Sequence, residues 1–281
     1  MTPPRLFDAA IRAARMARAH DFPLHDAAAD ELAERLLEVN RSFRDVAIIG
    51  HAAPAWAARL TGHPRIGSIA ALPEAETLPL APGSVDLVIH ALWLHWANDP
   101  VGVLVQSRLA LRPDGLLLAP LLGGRTLAEL RAVLAEAEAA ETGGLSPRVA
   151  PMGDIRDLGA LLQRAGYAMP VADSTRLTLR YRDIFHLMRD LRAMGETNAM
   201  AGRLRRFTRR GLFARAGALY AGLADAEGRI PATFETVWLT GWAPGPGQPR
   251  PLRPGSARMR LADALGTREQ PLPRGGDGES P

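Results

Sequence analysis

Residues 84–99 read SVDLVIHALWLHWAND, and this stretch predicts the fold of the chain. Its first half contains a short apolar run, VDLVI, which follows a Pro-Gly turn signal and is rich in β-branched residues. Such a run is typical of a strand buried on both faces of a sheet. Aromatic and titratable side chains follow directly. Ligands bind at the carboxyl ends of strands in open α/β sheets, so the stretch predicts a central strand with a site at its end.

Strands and helices alternate along the rest of the chain. Other apolar or alternating runs predict strands at residues 45–50, 65–72, 116–122, 174–181 and 232–242. Asp99 can cap a helix that begins at Pro100, and Thr126 with Glu129 forms a capping-box pattern for a later helix. The alternation predicts an α/β fold: a mostly parallel sheet with helices on both faces and an antiparallel strand pair at its carboxyl end.

The division of the chain follows from the same patterns. Residues 1–44 contain two helical patterns and predict a helical N-terminal extension. Residues 45–242 carry the alternating strands and helices, and a chain of 281 residues is long enough for one such domain with a normal core. Residues 243–281 are dominated by Pro, Gly and Arg, a composition that predicts a disordered tail.

Composition limits the classes of function. The chain has no cysteine, which excludes disulfides and thiolate metal sites, and no lysine, so every basic side chain is arginine or histidine. A net charge of +4 does not indicate a nucleic-acid partner. No apolar run approaches the ~18 residues of a membrane span, and the N-terminus lacks the pattern of a secretory signal. We therefore expect a bacterial cytoplasmic protein, with peripheral contact with the inner membrane as a second option.

Several motifs in the same order carry a family resemblance. They are LPLAPGSVDLVIHALWLHWANDP, LRPDGLLL, LLGGRTLAELR, YRDIFHLMRDLRAMGETNA and IPATFETVWLTGW. This series resembles the class I methyltransferases that use S-adenosylmethionine, and more narrowly the family of respiratory complex I assembly factor 5 with its bacterial relatives. Malonyl-acyl-carrier-protein methyltransferases are a more distant match. The resemblance implies a Rossmann-like fold, and, through the assembly-factor family, an arginine hydroxylase whose partner is a complex I subunit.

The cofactor elements of that family are altered here. Only Gly50 remains of the glycine-rich loop after the first strand, and Pro54 has no amide to donate. The segment from the first helix to residue 78 has room for one strand where the family has a strand, a helix and a further strand, so the first half of the fold is shortened. Glu74 falls where the family places an acid that contacts adenine, and His90 falls at the pocket wall. The sequence leaves open whether S-adenosylmethionine binds.

Four residues are candidates for the substrate side, namely Trp93, His95, Glu196 and Asn198. The histidine could transfer protons and the tryptophan could stack on a ligand. The alternative is that the tryptophans pack beneath the following helix and the histidines are satisfied by the backbone. A metal site with His51 finds no support in clustered spacing, so we predict no metal site, and we assign no catalytic residues.

Three functions remain open from the sequence. The first is a protein of the methyltransferase superfamily, hydroxylase-like, that acts on a protein substrate during assembly of respiratory complex I. The second is a non-catalytic assembly or interaction module that has lost cofactor binding, and the third is an O-methyltransferase of a carrier-protein-bound acid. The arginine-rich segment RLRRFTRRG (residues 203–211) is either a surface for an anionic partner or a solvated face. The oligomeric state is not predicted.

Overall fold

The predicted central strand lies in the middle of a six-stranded sheet in the computed structural model, which describes residues 5–248 and 259–268. The strands are β1 (Phe43–Ile49), β2 (Ile66–Leu72), β3 (Val85–His90), β4 (Leu111–Leu122), β5 (Ala168–Tyr181) and β6 (Ile230–Trp242). Their order is β2-β1-β3-β4-β6-β5. The strands from β2 to β4 are parallel, and β6 runs antiparallel to both β4 and β5. The predicted parallel sheet with an antiparallel C-terminal pair is confirmed.

Helices cover both faces of this sheet. They are α1 (Ala9–Met16), α2 (Pro23–Glu38), α3 (Ala53–Leu60), α4 (Pro100–Ala110), α5 (Ala128–Thr142), α6 (Ile155–Arg164), α7 (Ile184–Ala193) and α8 (Arg210–Ala221), with a 3-10 turn at Leu94–Trp96. A separate unit, of which residues 247–248 and 259–268 are described, contains the short helix α9 (Leu261–Leu265). Within the described residues, no helix combines the length and apolar character needed to cross a bilayer.

Two apolar cores form because successive residues of a strand point to opposite faces. Leu87 and Ile89 of β3 pack with α2, α3, α5, α7 and α8 on one face. Val88, between them in sequence, packs on the other face with α4 and α6. The alternation explains why β3 is apolar throughout: both of its faces are covered by helices, as in a parallel sheet. This arrangement fixes the carboxyl end of β3 between the two layers.

The segment that joins α3 to β3 is short. One strand, β2, separates α3 from the segment that leads into β3, and β2 forms the edge of the described sheet. Its residues are half-buried or exposed, whereas β1 and β3 are buried along most of their length. The wall of any site beside β2 must therefore come from loops and from the N-terminal helices.

Local predictions were confirmed at one helix start and wrong at another. Asp99 caps α4 by accepting a hydrogen bond from the Gly102 amide at 2.8 Å, and Pro100 is the first residue of that helix. The capping box was wrong, since α5 begins after Leu127 without a side-chain cap. Glu129 instead accepts hydrogen bonds from Thr233 of β6. Of the predicted disordered tail, residues 249–258 and 269–281 lie outside the described residues.

Candidate functional site

A cavity of about 500 Å³ opens at the carboxyl ends of β1, β2 and β3. We call it the first cavity. Its walls come from α1, from the loop after β1, from the loop after β2 and from the segment after β3. Its lining includes Phe7, Arg12, Met16, Gly50, His51, Pro54, Leu72, Glu74, Glu76, Trp93, Trp96 and Asn98. The position is the one at which open α/β sheets bind ligands, and the volume suits a small molecule.

Gly50 shapes the floor of the first cavity. It has a φ of +150°, which side chains on L-residues rarely allow, and a Cβ atom there would lie 2.9 Å from the carbonyl oxygen of Ala91. Its amide donates a hydrogen bond to the Leu72 carbonyl at 3.0 Å. Close packing of β1 against the end of β3 therefore explains this glycine. The amide that a glycine-rich loop would offer to a ligand is engaged within the chain.

Glu74 lies just after β2 and forms an ion pair with Arg12 of α1. The guanidinium Nη2 of Arg12 lies 3.2 Å from Oε1 of Glu74, and its Nε lies 3.4 Å from Oε2. Both carboxylate oxygens are therefore occupied by one guanidinium in a bidentate pair, the geometry that favours arginine over lysine. Helix α1 forms a wall of the first cavity and is joined to the loop after β2 by this contact.

Glu196, in the turn after α7, pairs with the same arginine through a different guanidinium nitrogen. Nη1 of Arg12 lies 3.1 Å from Glu196 Oε1, and the Trp96 indole donates to Oε2 at 2.9 Å. His95 Nε2 lies 3.4 Å from that oxygen. Burial alone would raise the pKa of Glu196, but the charge of Arg12 and the bond to His95 outweigh it, so the pKa lies well below its usual range. Glu196 is a buried carboxylate that stays ionised.

Trp96 separates the first cavity from another cavity, of about 220 Å³, which we call the second cavity. Its walls are mainly apolar and come from α5, α7, α8 and the ends of β4 and β6. The lining includes Leu122, Leu130, Leu134, Met152, Met188, Phe213 and Phe234. Trp96 lines both cavities, and Glu196, which lines the second, accepts a hydrogen bond from the Trp96 indole. An apolar group in the second cavity would therefore lie beside a fixed negative charge.

The rim of the second cavity is polar. Arg148 forms an ion pair with Glu138 at 2.7 Å, and this pairing holds the pKa of Glu138 at about 2. The Asn198 side chain donates to the Pro147 carbonyl at 2.7 Å. Arg192 is exposed, and its side chain forms no hydrogen bond or ion pair within residues 5–248 and 259–268. The rim thus offers one arginine whose charge faces solvent.

His90 lies behind Trp93 and does not line either cavity. The Trp93 indole donates to His90 Nδ1 at 2.9 Å, which leaves the proton on Nε2, 2.9 Å from the Ser107 hydroxyl. That hydroxyl donates onward to the Val103 carbonyl. Burial lowers the pKa of His90 to about 3. The ring is therefore neutral and fully hydrogen-bonded, and its role in this arrangement is to fix the orientation of Trp93.

The structure thus divides the sequence-predicted residues among three places. Gly50, Glu74 and Trp93 line the first cavity, whereas Glu196 and Asn198 line the second. His95 is buried beside Glu196. In the described part of the chain, no three His, Asp or Glu side chains are grouped so that they could hold a metal ion. Sequence reasoning missed Arg12, because its partners are 62 and 184 residues away and no local pattern marks it.

Comparison with known proteins gives a consistent picture. Residues 51–119 match the family model described as a methyltransferase domain. The chain is 42% identical to "Arginine-hydroxylase NDUFAF5, mitochondrial" of Dictyostelium discoideum over 66% of this chain and 42% of that protein. It is 40% identical to a malonyl-[acyl-carrier protein] O-methyltransferase of Xylella fastidiosa over 61% of this chain and 56% of that protein. The chain thus spans about half the length of these curated relatives.

Solved structures of other proteins also align with this chain. The crystal structure of the YcgJ protein from Bacillus subtilis aligns with a TM-score of 0.48 at 13% identity. The alignment covers 76% of this chain and 97% of that one.

Proposed function

We propose that the chain is a member of the methyltransferase superfamily that acts on a protein partner during assembly of respiratory complex I. The similarity to NDUFAF5 proteins, which are named arginine hydroxylases, supports this proposal. We further propose that residues 45–242 form the acting domain, with residues 1–44 as a helical extension. The site of action would be in the bacterial cytoplasm, with peripheral contact with the inner membrane through the arginine-rich segment 203–211.

The junction of the two cavities is the observation that carries the proposal. Glu196 is a buried carboxylate held by three side chains, and Trp96 presents its ring next to it. A carboxylate beside an aromatic face binds a guanidinium group, because it supplies both charge and a surface for stacking. This chemistry suits a protein substrate that presents arginine, the residue after which the hydroxylase activity of the NDUFAF5 relatives is named, and such a side chain would take the place of Arg12 beside Glu196.

S-adenosylmethionine is the cofactor that the superfamily implies, and the first cavity has a suitable position and volume for it. Recognition of a ribose needs a carboxylate with free acceptor oxygens. Here both oxygens of Glu74 are bonded to Arg12, Oε1 of Glu76 accepts the Asn98 amide, and Gly50 directs its amide to Leu72. The residues present do not fit the cofactor in this arrangement, so the proposal contains no step that passes through it.

A second candidate is a non-catalytic module that binds the same kind of partner. The ion pair of Glu74 with Arg12 favours this version, since it engages a carboxylate of the first cavity within the chain. A third candidate is methylation of a carrier-protein-bound acid. The similarity to malonyl-[acyl-carrier protein] O-methyltransferases and the exposed Arg192 beside an apolar cavity favour it, because an acyl chain with a terminal carboxylate needs both features.

Deleting the gene in its source bacterium tests the proposal. We expect isolated membranes to lose assembled complex I and its NADH oxidation activity, with recovery from the wild-type gene but weaker recovery from the Glu196→Gln variant. Intact-mass analysis of the complex I subunits then distinguishes a hydroxylase from a non-catalytic module. A subunit lacking one oxygen atom indicates a hydroxylase, and an unchanged mass with reduced assembly indicates the module. Normal amounts of active complex I in the deletion strain would contradict the proposal.

A further inference from the structure

Strand β5 forms an edge of the sheet and is long for a strand. It contains 14 residues, whereas strands of globular proteins average about 5–6. The sheet order ends at β5, so among the described residues β6 is the one strand that pairs with it. The other side of β5 therefore presents backbone N–H and C=O groups that no strand of the described chain satisfies. Such an edge is a template for pairing with a strand of another molecule.

The features that usually protect a sheet edge are confined to the start of β5. Pro170 cannot donate a backbone hydrogen bond, and Met169 has a φ of +47°. The register with β6 also shifts between Ala168 and Val171. From Val171 to Tyr181 the pairing with β6 is regular over 11 residues. This stretch of the edge therefore lacks the proline and the bulge that hinder strand addition.

Charge does not protect this stretch either. Arg176 pairs with Glu235 of β6 at 3.2 Å, and Arg180 pairs with Asp225. Leu177 lies between the two arginines in sequence and is 44% exposed. The positive charges that would repel an approaching strand are therefore balanced within the chain, and an apolar side chain is exposed near the middle of the edge.

The order of the side chains favours a second copy of this chain as the partner. Two copies of one strand pair antiparallel about a two-fold axis, so residues at equal distances on either side of the axis lie opposite each other. An axis at Arg176, the midpoint of the regular stretch, or at Thr178 would place arginines directly opposite each other, which is unfavourable. An axis at Thr175 would place Leu177 opposite the carboxylate of Asp173. An axis at Leu177 avoids both conflicts.

With the axis at Leu177, the facing side chains are compatible. Leu177 lies opposite Leu177 of the second copy, and this contact removes apolar surface from water. Arg176 then lies opposite Thr178, and Arg180 lies opposite Ser174. No two like charges face each other directly, so the strand is complementary to itself in this register.

We propose that β5 is a dimerisation edge, which pairs antiparallel with β5 of a second copy about Leu177 and joins the two sheets into one. The interface is the same patch on both copies and closes on itself, as in a symmetric dimer. No residue of β5 lines the first or the second cavity, so the dimer carries two copies of each. The pairing does not depend on which of the candidate functions is correct.

Disulfide cross-linking of single-cysteine variants tests the register. The natural chain has no cysteine, so each variant carries one thiol per copy. Directly opposed residues of an antiparallel pair have Cα atoms about 4.5–5.5 Å apart, within the range that a disulfide spans. Leu177→Cys should therefore give a covalent dimer under mild oxidation. Thr175→Cys is the matched control: Thr175 is exposed on the same face of β5, but the two copies of it would be offset by about 13 Å along the strand.

Intact mass after oxidation with oxidised glutathione measures the yield of covalent dimer. We expect at least about tenfold more dimer from Leu177→Cys than from Thr175→Cys, because the control thiols are out of reach of each other. Equal yields from the two variants would overturn the proposal.

Sedimentation velocity of the wild-type chain gives a second measurement, which does not depend on a variant folding. We expect a dimer at a protein concentration of about 100 µM, and dimerisation at least about tenfold weaker in Leu177→Arg, which places two positive charges opposite each other. Leu109→Arg is the control, since Leu109 is 50% exposed and lies on α4. A monomeric wild type at this concentration would overturn the self-pairing and leave the edge to a strand of a different protein. A dimer that Leu177→Arg does not weaken would overturn it as well.

Discussion

The two cavities differ in whether the polar groups around them form hydrogen bonds and ion pairs within the chain. Around the first cavity, Glu74 and Glu196 are bonded to Arg12, and the Gly50 amide is bonded to Leu72. Around the second cavity, the lining is mostly apolar and the exposed Arg192 side chain lacks a partner among the described residues. The difference teaches that α1 supplies the cation that pairs with Glu74 and Glu196 beside the first cavity. A ligand for the first cavity must compete with the protein, whereas a ligand for the second need not.

Arg12→Ala should remove this difference between the cavities and cause the largest loss in the free energy of unfolding. The substitution leaves Glu196 ionised and buried without its main cation, and breaking a buried ion pair in this way costs about 3–5 kcal/mol. Urea unfolding followed by circular dichroism measures the loss, with Arg15→Ala as the matched control on the same helix. A loss below ~1 kcal/mol for Arg12→Ala would mean that the arginine does not join α1 to the two carboxylates beside the first cavity.

Gly50→Ala should have the next largest effect. The added Cβ would lie 2.9 Å from the Ala91 carbonyl oxygen at a φ of +150°, so the change combines a steric contact with backbone strain. Such substitutions cost about 2–3 kcal/mol. Gly144→Ala is the control, since no atom lies within 4 Å of a Cβ there. Equal unfolding midpoints for the two variants would refute the packing role of Gly50.

A fall in pH should lower the free energy of unfolding, because His90 is buried in its neutral form. The pKa of its ring falls from 6.5 in the unfolded chain to about 3 in the fold, because burial disfavours the charged form. Between these values the unfolded chain binds a proton that the folded chain does not, so stability is present above pH 6.5 and is lost as the pH falls. From pH 7 to pH 5 this histidine alone should cost about 2 kcal/mol.

Urea unfolding of wild type at both pH values, compared with His90→Gln, isolates this contribution. Nitrogen NMR should show the ring of His90 neutral, with its proton on Nε2, at pH 5. A His90 ring that gains a proton near pH 6 would contradict the buried arrangement of Trp93 and Ser107.

Arg192→Ala should have the smallest effect. Its side chain is exposed and unpaired within the described residues, so the free energy of unfolding should change by less than ~0.5 kcal/mol. The same urea measurement on Arg148→Ala gives a contrast at the same rim, because that change leaves buried Glu138 without its ion-pair partner. If the two variants lost equal stability, the rim of the second cavity would not offer a free arginine.

Much of the fold was predictable because its signals are local. The apolar run of β3, the Asp99 cap and the alternation of strands with helices are all written in neighbouring residues, and each was confirmed. The capping box at Thr126 and Glu129 was wrong because β6 provides better partners. Thr126 exchanges hydrogen bonds with the Glu235 backbone, and Glu129 binds Thr233. Tertiary contacts took over side chains that the local pattern had assigned to a helix end.

The candidate site was less predictable for the same reason. Trp93 and Glu74 stand out in sequence because they follow β3 and β2, parallel strands whose carboxyl ends meet at one edge. Arg12 carries no such signal, since one arginine among several in an N-terminal helix gives no hint of partners in two distant loops. The hydrogen bonding of His90 could not be read from its position at the end of β3 either, because it depends on Ser107 of the neighbouring helix.

Calorimetric titration of the wild-type protein with S-adenosylmethionine, and with S-adenosylhomocysteine, tests the central claim most directly. The claim is that Glu74 and the Gly50 amide are engaged within the chain and leave no site for this cofactor. We predict no saturable heat up to about 1 mM ligand, which corresponds to a binding free energy weaker than about −4 kcal/mol. Binding at micromolar strength that is lost in Glu74→Gln would contradict the claim.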